Sequence, residues 1–277
     1  MQPPTEPAAT ILQTKLISLV SSNSGQTRTT HRQTVPGAIA FRCKAAVLQA
    51  RQAVHRIIYR DVKRFKVGAA LADQPAIAMS ETPLWTQEDE AERFLTAGKV
   101  RNLRIATRRL NGVEIPSGAI FSFWAHIGRP SRFKGYVVGR ELREGCIIPT
   151  IGGGLCQLSN ALYDAALTTG LEIVERHAHT QVIPGSLAES GRDATVFWNY
   201  VDLRFRSDEA LRIEAEVDEQ FLRVRFRASR RPTAAGSRNL VPLLPRAHPV
   251  AGNCATCGVA DCFRSTNKDG ADGGKTA

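Results

Sequence analysis

The chain has 277 residues, of which 43% are hydrophobic and 23% are charged, and its formal net charge is +11. This length and composition are those of a globular protein with a sizeable core. No stretch approaches the run of about 18 uncharged apolar residues that a membrane-spanning helix needs. The positive charge either serves solubility alone or attracts an anionic partner such as nucleic acid, a phospholipid surface or an acidic polymer.

The first residues do not have the pattern of a secretory signal peptide. Glu6 stands where a signal peptide has positive charge, and Gln13 and Lys15 interrupt the apolar run that follows. The six cysteines, at positions 43, 146, 156, 254, 257 and 262, are too sparse for a disulfide framework. A cytoplasmic location without a transmembrane segment is therefore predicted.

Two regions are predicted before the main domain. Residues 1–36 are rich in Thr, Ser, Gln and Pro and are predicted to be disordered. Residues 37–90 are predicted to form a basic amphipathic helix, over 38–65, and a connector. Such a helix either docks on its own domain with a solvated basic face, or contacts nucleic acid or an anionic membrane surface. In the membrane case the protein would be peripheral to the membrane.

Residues 91–230 are predicted to form an α+β domain, because helical patterns come first and strand patterns follow. The expected fold has N-terminal helices and a central helix that carries a cysteine at its N-terminus and packs on a mostly antiparallel sheet. The individual elements expected are a helix over 88–109, a strand over 119–128, a glycine-punctuated loop over 129–145, β structure over 194–208 and a hairpin that turns near Asp218 and Glu219.

The most informative stretch of the chain is 151–179. Three consecutive glycines stand at its start, just before a cysteine: Gly152, Gly153, Gly154 and Cys156. A helix is predicted over 157–167, and Gly170 is its expected stop. Glycines before a helix let other groups approach its first turn, whose unpaired N–H groups favour an anion. A cysteine there is a candidate nucleophile, whereas the alternative is a small, inert, buried residue.

The neighbours of Cys156 supply the other parts of a thiol site. The three glycines, Gln157 and Ser159 are predicted to bind the substrate or its oxyanion. His177 and His179 lie two residues apart, so on a strand they would face the same way. Either is a candidate for the base that takes the thiol proton, and the same spacing also occurs among metal ligands.

A carboxylate is expected to orient the catalytic histidine. Glu175 and Asp193 are the candidates for this role, and Asp202 is a further one, because spacing does not choose among them. A cysteine at a helix start, a histidine on a strand and a carboxylate follow the order of papain-like and transglutaminase-like thiol enzymes.

Residues 231–277 are predicted to be a linker and a cysteine-rich tail. Cys254, Cys257 and Cys262 have the spacing C-x2-C-x4-C, which is typical of part of a zinc or iron–sulfur site. The candidates for the fourth ligand are His248, Cys43 and Cys146, and the alternative is an exchangeable ligand at that position. A redox disulfide and a tail without function are the alternatives.

Several blocks of the chain occur in the order in which one known family has them. They are the N-x-x-x-A…LNG…IPSG…FSFW segment, GGGLCQLSNALYDAAL, GLEIVERHAH and GRDATV…DLRFR, over about residues 100–207. On these blocks the chain resembles the VanW family, named from vancomycin-resistance gene clusters. Many members are uncharacterised, and some extracytoplasmic members are similar to peptidoglycan L,D-transpeptidases that use the cysteine of GGG-x-CQ as nucleophile.

The resemblance implies that Cys156 is the nucleophile and that His177 or His179 is the base. The thiolate would attack a peptide carbonyl and form a thioester, which an amine or water then releases, without any cofactor. Wall-active members usually have an N-terminal membrane anchor and wall-binding modules, which this sequence does not show. The sequence STTLY is expected in such members where this chain has SNALY.

Two functions from different classes follow from these observations. The first is cysteine-dependent acyl transfer, of the transpeptidase or amide-hydrolase type, on a peptide or peptidoglycan-related substrate. The second is a non-catalytic binding or regulatory protein. In that case the C-terminal tail holds a metal ion or iron–sulfur cluster, and the glycine loop binds an anionic or peptide ligand.

Overall fold

A computed structural model describes residues 63–85, 92–143, 146–179, 185–198 and 201–232. The segment predicted to be disordered, almost all of the predicted basic helix and the cysteine tail lie outside the described residues. Within the described ranges, no helix combines the length and the apolar character that crossing a membrane requires.

The described residues form an α+β domain with antiparallel sheets, as the sequence predicts. The strands are β1 (Ala76–Pro83), β2 (Val113–Ile115), β3 (Ile120–Ser122), β4 (Val138–Arg143), β5 (Cys146–Ile151), β6 (Glu172–Glu175), β7 (Arg204–Arg206), β8 (Leu211–Val217) and β9 (Phe221–Arg227). The helices are α1 (Arg93–Leu110), α2 (Phe123–Ile127) and α3 (Leu155–Thr169), and a 3-10 turn spans Arg132–Lys134.

The main sheet has four antiparallel strands in the order β1–β9–β8–β2. Strands β8 and β9 are the predicted hairpin, and the Asp218 carboxylate closes its turn by accepting the N–H groups of Gln220 and Phe221 at 2.7 and 2.6 Å. Along both strands, buried residues alternate with more exposed ones, which is typical of a sheet covered on one face. Helix α1 contacts β8, and α3 contacts β1 and β9. The two helices also contact each other and share the core with these strands.

Two smaller β units lead into the glycine, cysteine and histidine motifs of the sequence. Strands β3, β7 and β6 form a three-stranded antiparallel sheet, in which β7 is central, while β4 and β5 form a separate hairpin. Strand β5 leads directly into the glycine loop and α3, and β6 leads into the segment with the two histidines. The segments that follow β5 and β6 therefore carry the cysteine, in the first turn of α3, and the two histidines.

Some elements differ from those predicted. The expected connector contains β1, an eight-residue strand whose small residues gave only a weak pattern. The strand expected over 119–128 stops at Ser122, because the Ser122 hydroxyl accepts the N–H of Ala125 at 3.2 Å and caps α2. The loop expected over 129–145 contains β4, which β5 pairs with along its full length.

Candidate active site

The glycine loop passes very close to α1 and β4. Gly152 and Gly154 have φ angles of +79° and +97°, which favour glycine. A Cβ atom on Gly154 would collide with Cγ of Lys99, and one on Gly153 would collide with the carbonyl oxygen of Gly139. Only glycines allow this approach, so the loop sets where α3 begins.

Asn102, fully buried on α1, holds the loop in place. Its side-chain amide donates to the carbonyl oxygens of Gly153 and Val137, both at 3.0 Å, and its Oδ1 accepts the N–H of Val137 at 2.9 Å. No role for Asn102 is predicted from the sequence. A signal is present nonetheless, since asparagine is unfavourable inside a helix unless its buried amide finds partners.

Cys156 lies in the first turn of α3 and is a half-buried free thiol. Its sulfur lies 3.7 Å from the carbonyl oxygen of Val196 and 3.9 Å from Oγ1 of Thr195. Gly170 ends the helix in a left-handed conformation, as the sequence predicts. The thiol is therefore placed between the helix start and the segment 193–196.

Two residues of α3 attach that segment to the helix. The Ser159 hydroxyl donates to the carbonyl oxygen of Ala194 at 2.6 Å, and Oδ1 of Asn160 accepts the N–H of Ala194 at 2.9 Å. On the other side, the N–H of Thr195 donates to the carbonyl oxygen of His177 at 2.7 Å. The segment thus joins the cysteine helix to the histidines.

His179 contacts both Cys156 and Asp193. Its ring Nδ1 lies 2.7 Å from Oδ2 of Asp193, and its ring also interacts with the Cys156 side chain. Burial alone would lower the pKa of His179, but the interactions with Asp193 and Cys156 outweigh it and raise the pKa to about 9. His179 is therefore protonated at neutral pH, and its Nδ1–H donates to Asp193.

Asp193 is almost fully buried and is fixed from a third side by Arg176. Nη2 of Arg176 donates to Oδ1 of Asp193 at 2.7 Å, while Nε donates to the Asp193 carbonyl oxygen at 2.7 Å. Burial alone would raise the pKa of Asp193, but the hydrogen bonds from His179 and the charge of Arg176 lower it. The result is a continuous chain of contacts, Cys156–His179–Asp193, that ends on the ion pair between Asp193 and Arg176.

His177 belongs to a different cluster. Its Nε2 lies 3.4 Å from Oε1 of Glu175, and the same oxygen accepts the backbone N–H of Asp202 at 3.0 Å. Arg204 forms ion pairs with the carboxylates of Glu175 and Asp202. Burial would raise the pKa of Glu175, but the hydrogen bond from His177 and the charge of Arg204 lower it. Burial and the charge of Glu175 raise the pKa of Asp202.

Residues at the end of β3 and the start of α2 also donate hydrogen bonds to this second cluster. The Ser122 hydroxyl donates to Oδ2 of Asp202 at 2.6 Å, and the N–H of Trp124 donates to Oδ1 at 3.1 Å. The two predicted histidines therefore have different carboxylates, and His179 is the one that contacts the cysteine.

The predicted oxyanion-binding residues are engaged in contacts of their own. The Gln157 amide donates to Oγ1 of Thr82 at 2.9 Å and to the carbonyl oxygen of Pro83 at 2.8 Å, which anchors α3 to β1. The N–H groups of Gly152 and Gly153 donate to backbone carbonyls at 3.0 Å. Their oxyanion role remains a prediction. The N–H groups of Leu155 and Cys156, at the start of α3, are further candidates, whereas the N–H of Gln157 donates to the carbonyl oxygen of Gly154 at 3.1 Å.

The predicted metal ligands Cys254, Cys257 and Cys262 lie outside the described residues. In the part of the chain that the structure describes, no group of three or more His, Cys, Asp or Glu side chains could hold a metal ion.

Comparison with known proteins assigns the domain. Residues 98–227 match the family described as VanW-like protein. Over 132 residues the chain is 33% identical to the vancomycin B-type resistance protein VanW of Enterococcus faecalis, covering 47% of this chain and 48% of that relative. Over 121 residues it is 36% identical to the uncharacterized protein YoaR of Bacillus subtilis, covering 41% of this chain and 38% of that relative.

The match thus spans about half of one relative and about two fifths of the other. No solved structure matches the chain. The matched region contains the glycine loop, α3 and the whole Cys156–His179–Asp193 chain. Residues 98–227 therefore form a domain that belongs to the VanW family.

Proposed function

We propose that this domain catalyses cysteine-dependent acyl transfer on a peptide, with Cys156 as nucleophile, His179 as proton donor and acceptor, and Asp193 as the residue that orients His179. The observation that carries the proposal is the chain of contacts from the thiol through the imidazole to the buried carboxylate. A nucleophile, a base in contact with it and a third group that fixes the base are the parts that such a reaction requires.

The first step is attack of the Cys156 thiolate on the carbonyl carbon of an amide. The tetrahedral oxyanion that forms is stabilised by N–H groups at the start of α3. Its collapse breaks the C–N bond, and the proton on His179 passes to the leaving nitrogen. A thioester on Cys156, a neutral His179 and a free amine remain.

The second step releases the acyl group. Neutral His179 takes a proton from an incoming amine or water, whose nitrogen or oxygen attacks the thioester carbonyl. An amine gives a new amide, which completes a transpeptidation, and water gives a carboxylic acid. Cys156 leaves as a thiolate and His179 keeps the proton, so the starting pair is restored.

A peptidoglycan-related peptide is the proposed substrate. One relative is named as a vancomycin B-type resistance protein, which supports a substrate from the cell wall. The chemistry itself requires only an amide carbonyl that reaches the half-buried sulfur of Cys156.

Alkylation of the thiol tests the proposal without knowledge of the substrate. The purified chain would be treated with iodoacetamide at pH 7 and the label located by peptide mapping. Cys156 should react at least about tenfold faster in the wild type than in His179→Gln, because a protonated imidazole stabilises the reactive thiolate. The other cysteines in the same digest serve as the internal reference. Equally slow labelling of Cys156 in both proteins would favour a non-catalytic binding protein.

A further inference from the structure

One side chain of the domain stands fully in solvent although it is large and apolar. Phe133, in the middle of the 3-10 turn, has a relative accessibility of 104%. Arg132 and Lys134 flank it, and Arg129 lies four residues before it. An apolar ring can enter the boundary between lipid headgroups and acyl chains, and cations beside it are attracted to anionic headgroups.

Lys134 links the 3-10 turn that carries Phe133, here called the tip, to a neighbouring cavity. Lys134 and Arg109 both lie next to Gly128. Nζ of Lys134 is 3.2 Å, and Nη1 of Arg109 is 3.9 Å, from the position that a Cβ atom on Gly128 would take. Arg109 in turn lines a cavity of about 420 Å³. The other lining residues are Arg64, Phe65, Lys66, Val67 and Val113.

The wall of the cavity is attached to the domain by specific contacts. The N–H of Phe65 donates to Nε2 of His126 at 3.0 Å, and Val67 forms a β-bridge with Val113. Burial lowers the pKa of His126, which keeps its ring neutral and able to accept this bond. Arg64 and Lys66 are therefore held in place beside Arg109.

The cations of this face have no carboxylate partners within the described residues. They are Arg64, Lys66, Arg109, Arg129, Arg132 and Lys134. Like charges that lie close together repel each other, and an anion placed between them relieves that repulsion. Guanidinium groups pair well with phosphate, because their planar N–H donors fit two of its oxygens.

We infer that this face binds the surface of an anionic phospholipid membrane. A lipid phosphate occupies the cavity beside Arg64, Lys66 and Arg109, and Phe133 enters the interface next to it. A soluble phosphate ester would satisfy the cavity but would leave the exposed Phe133 unexplained. The inference is independent of the proposed acyl transfer.

Vesicle co-sedimentation of the full chain tests it. Vesicles of phosphatidylcholine alone are compared with equimolar phosphatidylcholine and phosphatidylglycerol. We expect binding only to the anionic vesicles and, in Phe133→Ser, a loss of affinity of about tenfold or more. The matched control is Phe94→Ser. It removes a 59% exposed phenylalanine at the start of α1, at the end away from Arg109, and should change affinity less than about twofold.

The cavity is tested with a pair of charge variants. Arg64→Gln combined with Lys66→Gln should weaken binding about tenfold or more, because each cation near an anionic surface contributes to the attraction. Lys63→Gln combined with Arg101→Gln removes the same charge from exposed positions that do not line the cavity and should weaken binding much less. All these side chains are exposed, so thermal unfolding midpoints should stay close to that of the wild type.

Three outcomes would overturn the inference. The first is equal affinity for neutral and anionic vesicles, and the second is equal losses in the test and control variants. The third is no vesicle binding at all. In that case, saturable binding of glycerol phosphate would assign the cavity to a soluble ligand, and self-association lost in Phe133→Ser would assign the tip to a second copy of the chain.

Discussion

His179 makes two hydrogen bonds to a single oxygen of Asp193, from the ring Nδ1 at 2.7 Å and from the backbone N–H at 2.6 Å. One bond fixes the ring and the other fixes the backbone that carries it. Arg176 holds the second carboxylate oxygen at 2.7 Å, so the carboxylate itself cannot turn. With Nδ1 engaged, Nε2 is the ring nitrogen left to serve the thiol or the substrate.

Removal of the negative charge of Asp193 should prevent His179 from transferring protons during acyl transfer. In Asp193→Asn the imidazolium loses its ionic partner and its fixed tautomer, and we expect acyl-enzyme formation to slow by about 10³-fold or more. Asp164→Asn is the matched control, because Asp164 pairs with Arg192 and does not contact His179. Its rate should stay within about threefold of the wild type. Similar losses in both variants would mean that Asp193 acts on stability alone.

The two histidines should differ strongly in their effect on chemistry. His179→Gln removes the group that contacts Cys156, so its acyl-enzyme formation should fall by about 10³-fold or more. His177→Gln leaves the Cys156–His179–Asp193 chain intact and should change the rate less than about tenfold. Quenched-flow mass spectrometry of both variants measures these rates. A larger loss in His177→Gln would assign the base to the Glu175 cluster instead.

The stability of the domain should depend on pH through His179. Its pKa in the folded protein is about 9, above its ordinary value of 6.5, so folding favours the protonated form. The resulting stabilisation is complete below about pH 6.5 and is lost as pH rises through 9. Between pH 6.5 and 8 the free energy of unfolding should fall by about 1.5 kcal/mol more in the wild type than in His179→Gln.

Denaturant unfolding of both proteins at several pH values measures this difference. The comparison with His179→Gln is needed because burial also lowers the pKa of Lys99, to about 8 from 10.5, and this contribution is common to both proteins. Above pH 8, deprotonation of Lys99 favours the folded state and opposes the effect of His179. Parallel curves for the two proteins below pH 8 would contradict the assigned protonation state.

The glycine before α3 should resist substitution more than a glycine of similar backbone conformation elsewhere. Gly185 has φ +75° with nothing near its Cβ position, so Gly185→Ala should cost only the backbone strain, about 1–2 kcal/mol. In Gly154→Ala the new methyl group also collides with Cγ of Lys99 and lies 2.9 Å from Cβ of Lys99. Because these atoms are at the base of the lysine side chain, moving the end of that side chain does not relieve the collision. We expect about 1–3 kcal/mol of additional destabilisation, measured as the free energy of unfolding. Equal costs at both positions would show that close packing on Lys99 is unimportant.

The cysteine end of the site was predictable because its residues are contiguous. The glycines, Cys156 and the helix start form one local unit, and local backbone rules are enough to place the thiol at the helix start. The hairpin at Asp218 was predictable for a similar reason, since alternation and a turn residue are both local signals.

The choice of histidine and carboxylate was not predictable from spacing. Two residues apart on a strand, His177 and His179 would share a face, but β6 ends at Glu175 and the extended pairing does not continue through them. Asp193 reaches His179 because Ser159 and Asn160 attach the segment around Ala194 to α3. These contacts are tertiary, and no pattern within one segment encodes them. The β structure expected over 194–208 is confined largely to β7.

The central claim is that Cys156 carries an acyl group during turnover. The most direct measurement is the intact mass of the full chain after incubation with muropeptides that carry a tetrapeptide stem, for the wild type, Cys156→Ala and His179→Gln. We expect a mass gain that survives denaturation in the wild type, is absent in Cys156→Ala and forms far more slowly in His179→Gln. An equal mass gain in Cys156→Ala, or no gain in the wild type under conditions where the stem peptide is cleaved or exchanged, would contradict the central claim.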